Sequence, residues 1–418
     1  MSPLSFLGLV LVALLPFERI PTLEAFGYTV KLSYVAGVIL LACAFWQWRK
    51  QRIKLSQEET LLGTFWLVAV LSITQSPNLT RSVVIAALWL LMFLLYGTVR
   101  RLFADETLRH RAERVLFVVT AIVCLFGIYQ FVGDMLGLPA TQTGLRDWYT
   151  KQVLGFTRIQ SVALEPLYFS NYLLFPLFLL LARMVSAKKP TSAQVALGAL
   201  IVVNIVLGVS RGAYLALIIA AGVMLGYLVV AASKKHLSAQ VFVPILATFV
   251  IGVGSSLILL GGLAQESVVT RFVGHAQVED APTSDSVAGR VTVYKRALDL
   301  FQEKPVLGIG IAAFGPRTMT TEADVAIHGY GQVNNGYLEI LTETGVLGAL
   351  AFIAFVIAYF RSWLFAYRRK GAIGRARLVV LGLGVVAIGI QFNFFSTLYL
   401  IWVWVFLAWL SAEIYSKE

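Results

Sequence analysis

The chain is poor in charge. Only 13% of its 418 residues are Asp, Glu, Lys or Arg, and the acidic ones are scarcer, 22 against 34 basic. Ordinary soluble domains carry about 25% charged residues, so a water-solvated enzyme, a disordered scaffold and a nucleic-acid binder all fit badly. Cysteine is nearly absent. Cys43 and Cys124 each sit inside an apolar run, which excludes a disulfide-stapled secreted module. Four histidines are present, but there is no HExxH, no cluster of Cys and His ligands, no phosphate-cradling glycine loop and no Gly-x-Ser-x-Gly elbow. Internal repeats, low-complexity tracts and an inverted-repeat signature are also missing.

Apolar residues fill the space left by charge. They make up 58% of the chain, and mean hydropathy is +0.80, so lipid is the solvent this sequence is written for. Twelve segments approach the roughly 20 apolar residues of a membrane span: 4–18, 28–46, 60–74, 82–99, 115–133, 166–182, 192–209, 212–231, 241–263, 345–361, 378–394 and 395–413. The opening MSPLSFLGLVLVALLPFER lacks a basic leader and a small-residue cleavage site, and so reads as a retained first helix. The net charge of +12 comes in bursts between apolar runs. Arg49, Lys50, Arg52 and Lys54 form one burst, and Arg368, Arg369, Lys370, Arg375 and Arg377 another. Such bursts follow the positive-inside rule and predict N-terminus in, C-terminus in. The expected architecture is an all-α polytopic membrane protein of about 12 spans. It divides into a bundle over 1–263, a large outer helical loop over 264–344, and a closing bundle over 345–418. A shorter outer segment covers about 134–165. Because the cytoplasmic loops are short and basic, any chemistry is expected on the outer face.

A few residues there can carry it. Arg211, in GVSRGAYLALIIA, opens the eighth span beside small residues; it reads either as a snorkelling anchor or as an ionisable ligand-binding group. Arg290, Tyr294 and Leu298 share a helical face that Pro305 ends, before Gly308 and Gly310 turn the chain. Arg290 is either a solvated charge or half of a pair; two arginines near one outer cavity would suit a pyrophosphate, which the guanidinium fork binds bidentately. In HGYGQVNNGYLEILTETGVLGALAF, Asn334 and Asn335 are N-cap candidates for a helix running into the tenth span. Gly345 and Gly348 allow close helix packing there. Glu165 precedes a helix-opening proline, where the macrodipole alone explains a carboxylate, although it could serve as a base or accept from a sugar hydroxyl. His328 and His275 lie in the large loop and titrate near neutral pH if solvated.

Three of these stretches, in this order, resemble the O-antigen ligase and O-antigen polymerase family. They are Ser-Arg-Gly at 210–212, the Arg290 helix leading into KPVLGIGIAAF, and NNGYLEILTETGVLGAL at 334–350. EPLYFSNYL at 165–173 is a weaker fourth. The resemblance implies a glycosyltransferase without metal or cofactor, in a bacterial inner membrane with its site facing the periplasm or outside. Its donor would be a glycan on undecaprenyl pyrophosphate and its acceptor a glycan or a lipid A core, with a chain-length regulator as a further partner. Arg211 and Arg290 would hold the pyrophosphate, with Asn335 and Tyr294 beside the substrate. An acceptor hydroxyl would attack the anomeric carbon with inversion. Ligases of the family carry a His-Asn pair where this chain has Asn334-Asn335. Asn accepts no proton at neutral pH but can orient a hydroxyl. Asn334 is therefore expected to orient; either Glu165 or His328 acts as base, or positioning and leaving-group stabilisation dominate. Polymerases vary more at this position, so polymerisation of lipid-linked repeat units leads, with ligation to an acceptor as runner-up. A flippase or transporter is the reading from another class. It would place ionisable residues at the midplane of several spans, whereas here they gather at outer ends.

Overall fold

The computed structural model describes residues 2–19, 23–25, 28–146, 157–187, 189–233, 239–261, 287–319 and 330–416. Capping explains where many helices begin. Ser2 caps α1 (Pro3–Leu14) by accepting from Ser5 N–H. A short antiparallel hairpin, β1 (Leu23–Ala25) and β2 (Tyr28–Val30), leads into α2 (Leu32–Trp48). A Ser56–Glu59 capping box starts α3 (Gln57–Ser72). Asn78 caps α4 (Leu79–Leu102) and Asp105 caps α5 (Glu106–Met135). One turn, α6 (Ala140–Thr143), follows. Then come α7 (Pro166–Ser186), α8 (Ser192–Leu207), α9 (Arg211–Ser233) and α10 (Ala239–Gly261). The chain closes with α11 (Val287–Glu303), α12 (Phe314–Thr318), α13 (Gly336–Arg369), α14 (Ala372–Gln391) and α15 (Ile401–Tyr415).

Each of the twelve apolar segments overlaps one of these helices without matching its bounds. By length and composition, α4, α5, α7, α9, α10, α13 and α14 suffice to cross a membrane; α1, α2, α8 and α15 are shorter apolar helices. Helix α7 is buried almost all round and packs on α5, α8 and α14. Helix α15 is likewise sunk in the bundle, its Trp402, Trp404 and Trp409 fully buried. The outer ring behaves oppositely. Phe45, Ile218 and Ile258 are 70–75% exposed, a pattern that a lipid solvent accommodates.

Two departures from the sequence reading shape the outer end. The apolar run from 378 to 413 is not two abutting helices: residues 392–400 are non-helical, yet Phe395, Ser396, Thr397, Leu398 and Leu400 are buried. The long α13 is broken at Gly345 (φ 66°, ψ −169°), so an arm over 336–344 precedes the apolar spanning arm over 346–369. At 1.5 Å per residue, α8 and α15 are about 24 and 22 Å long, short of the roughly 30 Å hydrocarbon thickness. Charges mark their far ends, Lys189 ahead of α8 and Glu413 in the last turn of α15, where it pairs with Arg377 of α14. The joins at 208–210 and 392–400 are thereby recessed. Non-helical backbone at such depth survives only inside protein or around a cavity.

Candidate functional site

The recessed joins meet. Residues 157–165 lie over the first, with Ile159 N–H donating to Leu207 O and Arg158 Nε to Gly208 O. Val209 turns the chain with φ 45°, a costly conformation for a β-branched residue. Ser210 Oγ then accepts from Ala213 N–H to start α9, which leaves Arg211 in its first turn with an exposed side chain. The next residue, Gly212, abuts the second join: a Cβ there would stand 2.8 Å from Phe394 and 2.9 Å from Gln391.

Arg290 reaches the same aromatic wall from α11, its guanidinium 5.7 Å from the Phe394 ring centre. One turn on, Tyr294 OH donates to Asn393 O at 3.2 Å and reaches Asn334 O at 3.5 Å. Asn334 holds a left-handed backbone (φ 57°). Asn335 caps α13, its Oδ1 accepting from Leu338 N–H at 3.1 Å. Gly336 N–H is bonded to both Phe392 O and Phe395 O. Arg290, Tyr294, Asn334, Asn335 and the Arg211 turn are thus gathered on residues 392–395. Glu165 occupies the N-cap of α7 without a capping bond. It touches this wall indirectly: Tyr168, one turn on, is hydrogen-bonded to Thr397 at 2.9 Å. His328 and His275 lie outside the described residues. Among those described, the non-glycine residues with positive φ are Ser161, Val209, Ala312 and Asn334, all on segments that build this end. Strain of that kind gathers where a site must be held in shape.

Behind the wall lies a narrow cleft that sequence reasoning missed. Arg81, Trp89, Phe314, Gln332, Glu339, Glu343, Ser396 and Tyr399 face it. Arg81, in the first turn of α4, donates to Ala312 O and stacks 4.6 Å from the Tyr330 ring centre. Glu343 is 4% exposed and accepts from Ala312 N–H at 2.7 Å and Phe314 N–H at 3.1 Å. Glu339, one turn earlier, is half-buried and accepts from Val333 N–H at 3.1 Å. Both belong to the arm that precedes the span. Burial holds each carboxyl above its ordinary range, and for Glu343 the neighbouring Glu339 charge adds to the effect. Their i, i+4 spacing was visible in LEILTE. Nothing local, however, distinguishes such a pair from a solvated helix face. Arg81 comes from some 250 residues away.

Residues 196–353, from α8 into the spanning arm of α13, match the family model described as O-antigen ligase. That stretch holds Arg211, Arg290, Tyr294, Asn334, Asn335, Glu339 and Glu343, and over it the chain is similar to that family. No curated protein matches the chain.

Proposed function

We propose that this multi-pass chain of the O-antigen ligase and polymerase type is a glycosyltransferase. On this reading it extends a polysaccharide by joining repeat units carried on undecaprenyl pyrophosphate, on the outer face of the inner membrane. One observation carries the reading: Arg290 and the Arg211 turn share the Phe392–Phe395 wall. A lipid-linked pyrophosphate is the ligand such a pair suits, since a guanidinium fork matches its oxygens. As the anomeric carbon leaves the phosphate oxygen, negative charge grows on the pyrophosphate. Fixed cations nearby stabilise that growth more than they stabilise the ground state. An acceptor hydroxyl attacks from the opposite face and inverts the centre. Tyr294 ties α11 to the wall and Gly336 N–H ties α13 to it, with Asn335 capping that helix, so the distance between the arms of the site is fixed. The family model's description as a ligase favours a second reading, in which the same donor chemistry delivers finished glycan to another acceptor.

The test is a gel of surface and lipid-linked glycans from a deletion strain complemented with wild type, Arg211→Ala or Arg290→Ala. Each variant is expected to be made and inserted normally, yet to lower glycan transfer by about 10²-fold or more, the scale for removing a charge-stabilising donor. Single repeat units on the acceptor identify a polymerase, and long lipid-linked chains that reach no acceptor identify a ligase. Full activity in both variants removes the arginine pair, and an unchanged profile in the deletion strain returns the transporter reading.

A further inference from the structure

We infer that two arginine–aromatic pairs at the end opposite the site, Arg49 on Trp46 and Arg369 on Phe365, are docking stations for the headgroup phosphate of an anionic phospholipid. Neither pair belongs to the recess, and their role does not depend on the glycosyl-transfer reading.

Charge marks this end first. Its buried acids are engaged by other cations: Glu113 and Glu413 hold Arg183 and Arg377, and Glu59 holds Arg100 and Arg101. No Asp or Glu occurs between Glu24 and Glu58, nor between Glu343 and Glu413. The exposed Arg49, Lys50, Arg52, Arg368 and Arg369 therefore have no acid close by in sequence. A surface of one sign draws anions, at about 1 kcal/mol for each Lys or Arg beside a charged membrane.

Geometry then singles out two of these cations. Each is laid on a ring where an apolar helix ends. The Arg49 guanidinium, just past α2, is 3.8 Å from the Trp46 ring centre, and that of Arg369, last in α13, is 3.7 Å from the Phe365 ring centre. The sequence spacings, three and four residues, put ring and cation on one helix face. At such a distance the guanidinium rests on the ring by its face, so its N–H edge is turned to the side, where a phosphate can meet it. Arg49 spends one N–H on Trp46 O at 2.6 Å, which fixes the direction of its fork. Arg100 and Arg375 also approach rings, those of Tyr415 and Tyr367. Arg100 is tied to Glu59, however, and Arg375 Nε to Lys370 O.

The rings identify the occupant as lipid. Trp46 and Phe365 are exposed, as are Phe45 and Phe360 on the same helices. Aromatic side chains in that setting sit at headgroup level, where the anion beside them is a lipid phosphate. The two stations share a level: Ser362 of α13 and Tyr415 of α15 both donate to Glu58, in the first turn of the helix that follows the Arg49 loop.

The experiment titrates the full chain in detergent with phosphatidylglycerol and counts bound lipids by native mass spectrometry. Phosphatidylcholine is the comparison and inorganic phosphate the competitor. Wild type is expected to hold two phosphatidylglycerol molecules at least about fivefold more tightly than phosphatidylcholine, the factor that one cation beside the membrane supplies. Arg49→Gln and Arg369→Gln should each lose one of the two. Arg52→Gln with Arg368→Gln removes the same charge from the same loops and should keep both. Arg49→Lys with Arg369→Lys keeps the charge without the planar fork, and should bind like the double Gln variant. All these side chains are exposed, so folding is not at stake. Equal affinity for the two lipids overturns the inference. A control pair that loses as much as the stations, or a Lys pair that binds as wild type does, also overturns it, in favour of diffuse attraction by net charge. Displacement by inorganic phosphate at the lipid's own concentration overturns it in favour of a soluble anion.

Discussion

Asn334 shows how a single residue can be both cap-adjacent scaffold and candidate site. Its left-handed backbone (φ 57°) turns the chain so that its carbonyl meets Tyr294 while Asn335 caps α13. A left-handed conformation costs roughly 1–2 kcal/mol per ordinary residue, and Asn and Gly bear it best. Asn334→Ala is therefore expected to lower stability by about 1 kcal/mol, and Asn334→Gly to leave it unchanged. Thermal unfolding in detergent, followed by tryptophan fluorescence, measures both. If the side-chain amide orients the acceptor, Asn334→Gly loses transfer while keeping its melting temperature. Arg211, Arg290, Tyr294 and Asn334 were legible in the sequence because each interrupts an apolar or periodic pattern. Glu339, Glu343 and Arg81 were not. Two carboxylates a turn apart look like any solvated helix face, and Arg81 looks like an interfacial anchor until α4 is packed beside α13.

At the scale of elements, the informative event is the break in α13. The sequence predicts close packing at Gly345 and Gly348; backbone does approach Gly345 closely, but as a loop entering a break in the helix. Residues 305–310 enter the interruption. Ile309 N–H bonds Thr342 O, Gly310 N–H bonds Glu343 O, and Val346 N–H bonds Pro305 O. KPVLGIG and ETGVLG are thus one device, in which two loops of backbone exchange hydrogen bonds that a continuous helix would have kept to itself. Gly308 (φ 72°) and Gly345 (φ 66°) face each other across it. A Cβ on Gly345 would sit 2.3 Å from Val306 O, and one on Gly308 2.4 Å from the Glu343 carbonyl carbon. The strained dihedral alone costs of order 1–3 kcal/mol, and the backbone overlap adds to it. Gly345→Ala and Gly308→Ala are each expected to release α11 and α12 from the bundle, read as protease sensitivity confined to 287–319. Cleavage equal to wild type in both would count against the device. The 392–400 join escaped notice for a related reason. FNFFSTLYL is as apolar as a helix, and what unwinds it is the recess it must line, a property of its neighbours.

Across the whole molecule, the end opposite the site is held by charge. Glu113 of α5 is fully buried and pairs with Arg183 of α7 at 2.6 Å and Arg377 of α14 at 2.8 Å. Arg377 also pairs with Glu413 of α15 at 2.5 Å, and Arg109 approaches Glu413 at 3.4 Å. The basic partners were visible as charge bursts flanking apolar runs. Their acidic counterparts were hidden at the edges of those runs, so the bursts were read as orientation signals alone. Four helices converge on two carboxylates. The arrangement fixes the basal ends of α5, α7, α14 and α15 while the opposite ends of α7, α14 and α15 frame the recess. Removing one member of a buried ion pair strands the others without solvent, at a cost of about 3–5 kcal/mol. Glu113→Ala is therefore expected to destabilise the fold by that amount in denaturant titration. Exposed pairs such as His110–Glu106, in contrast, contribute little. Because the network lies a full helix length from Arg211 and Arg290, Glu113→Ala protein that is still folded should bind undecaprenyl pyrophosphate as wild type does. Weakened binding in that folded fraction would mean that α7 and α14 transmit the basal network's geometry to the site, and that the two ends are one mechanical unit.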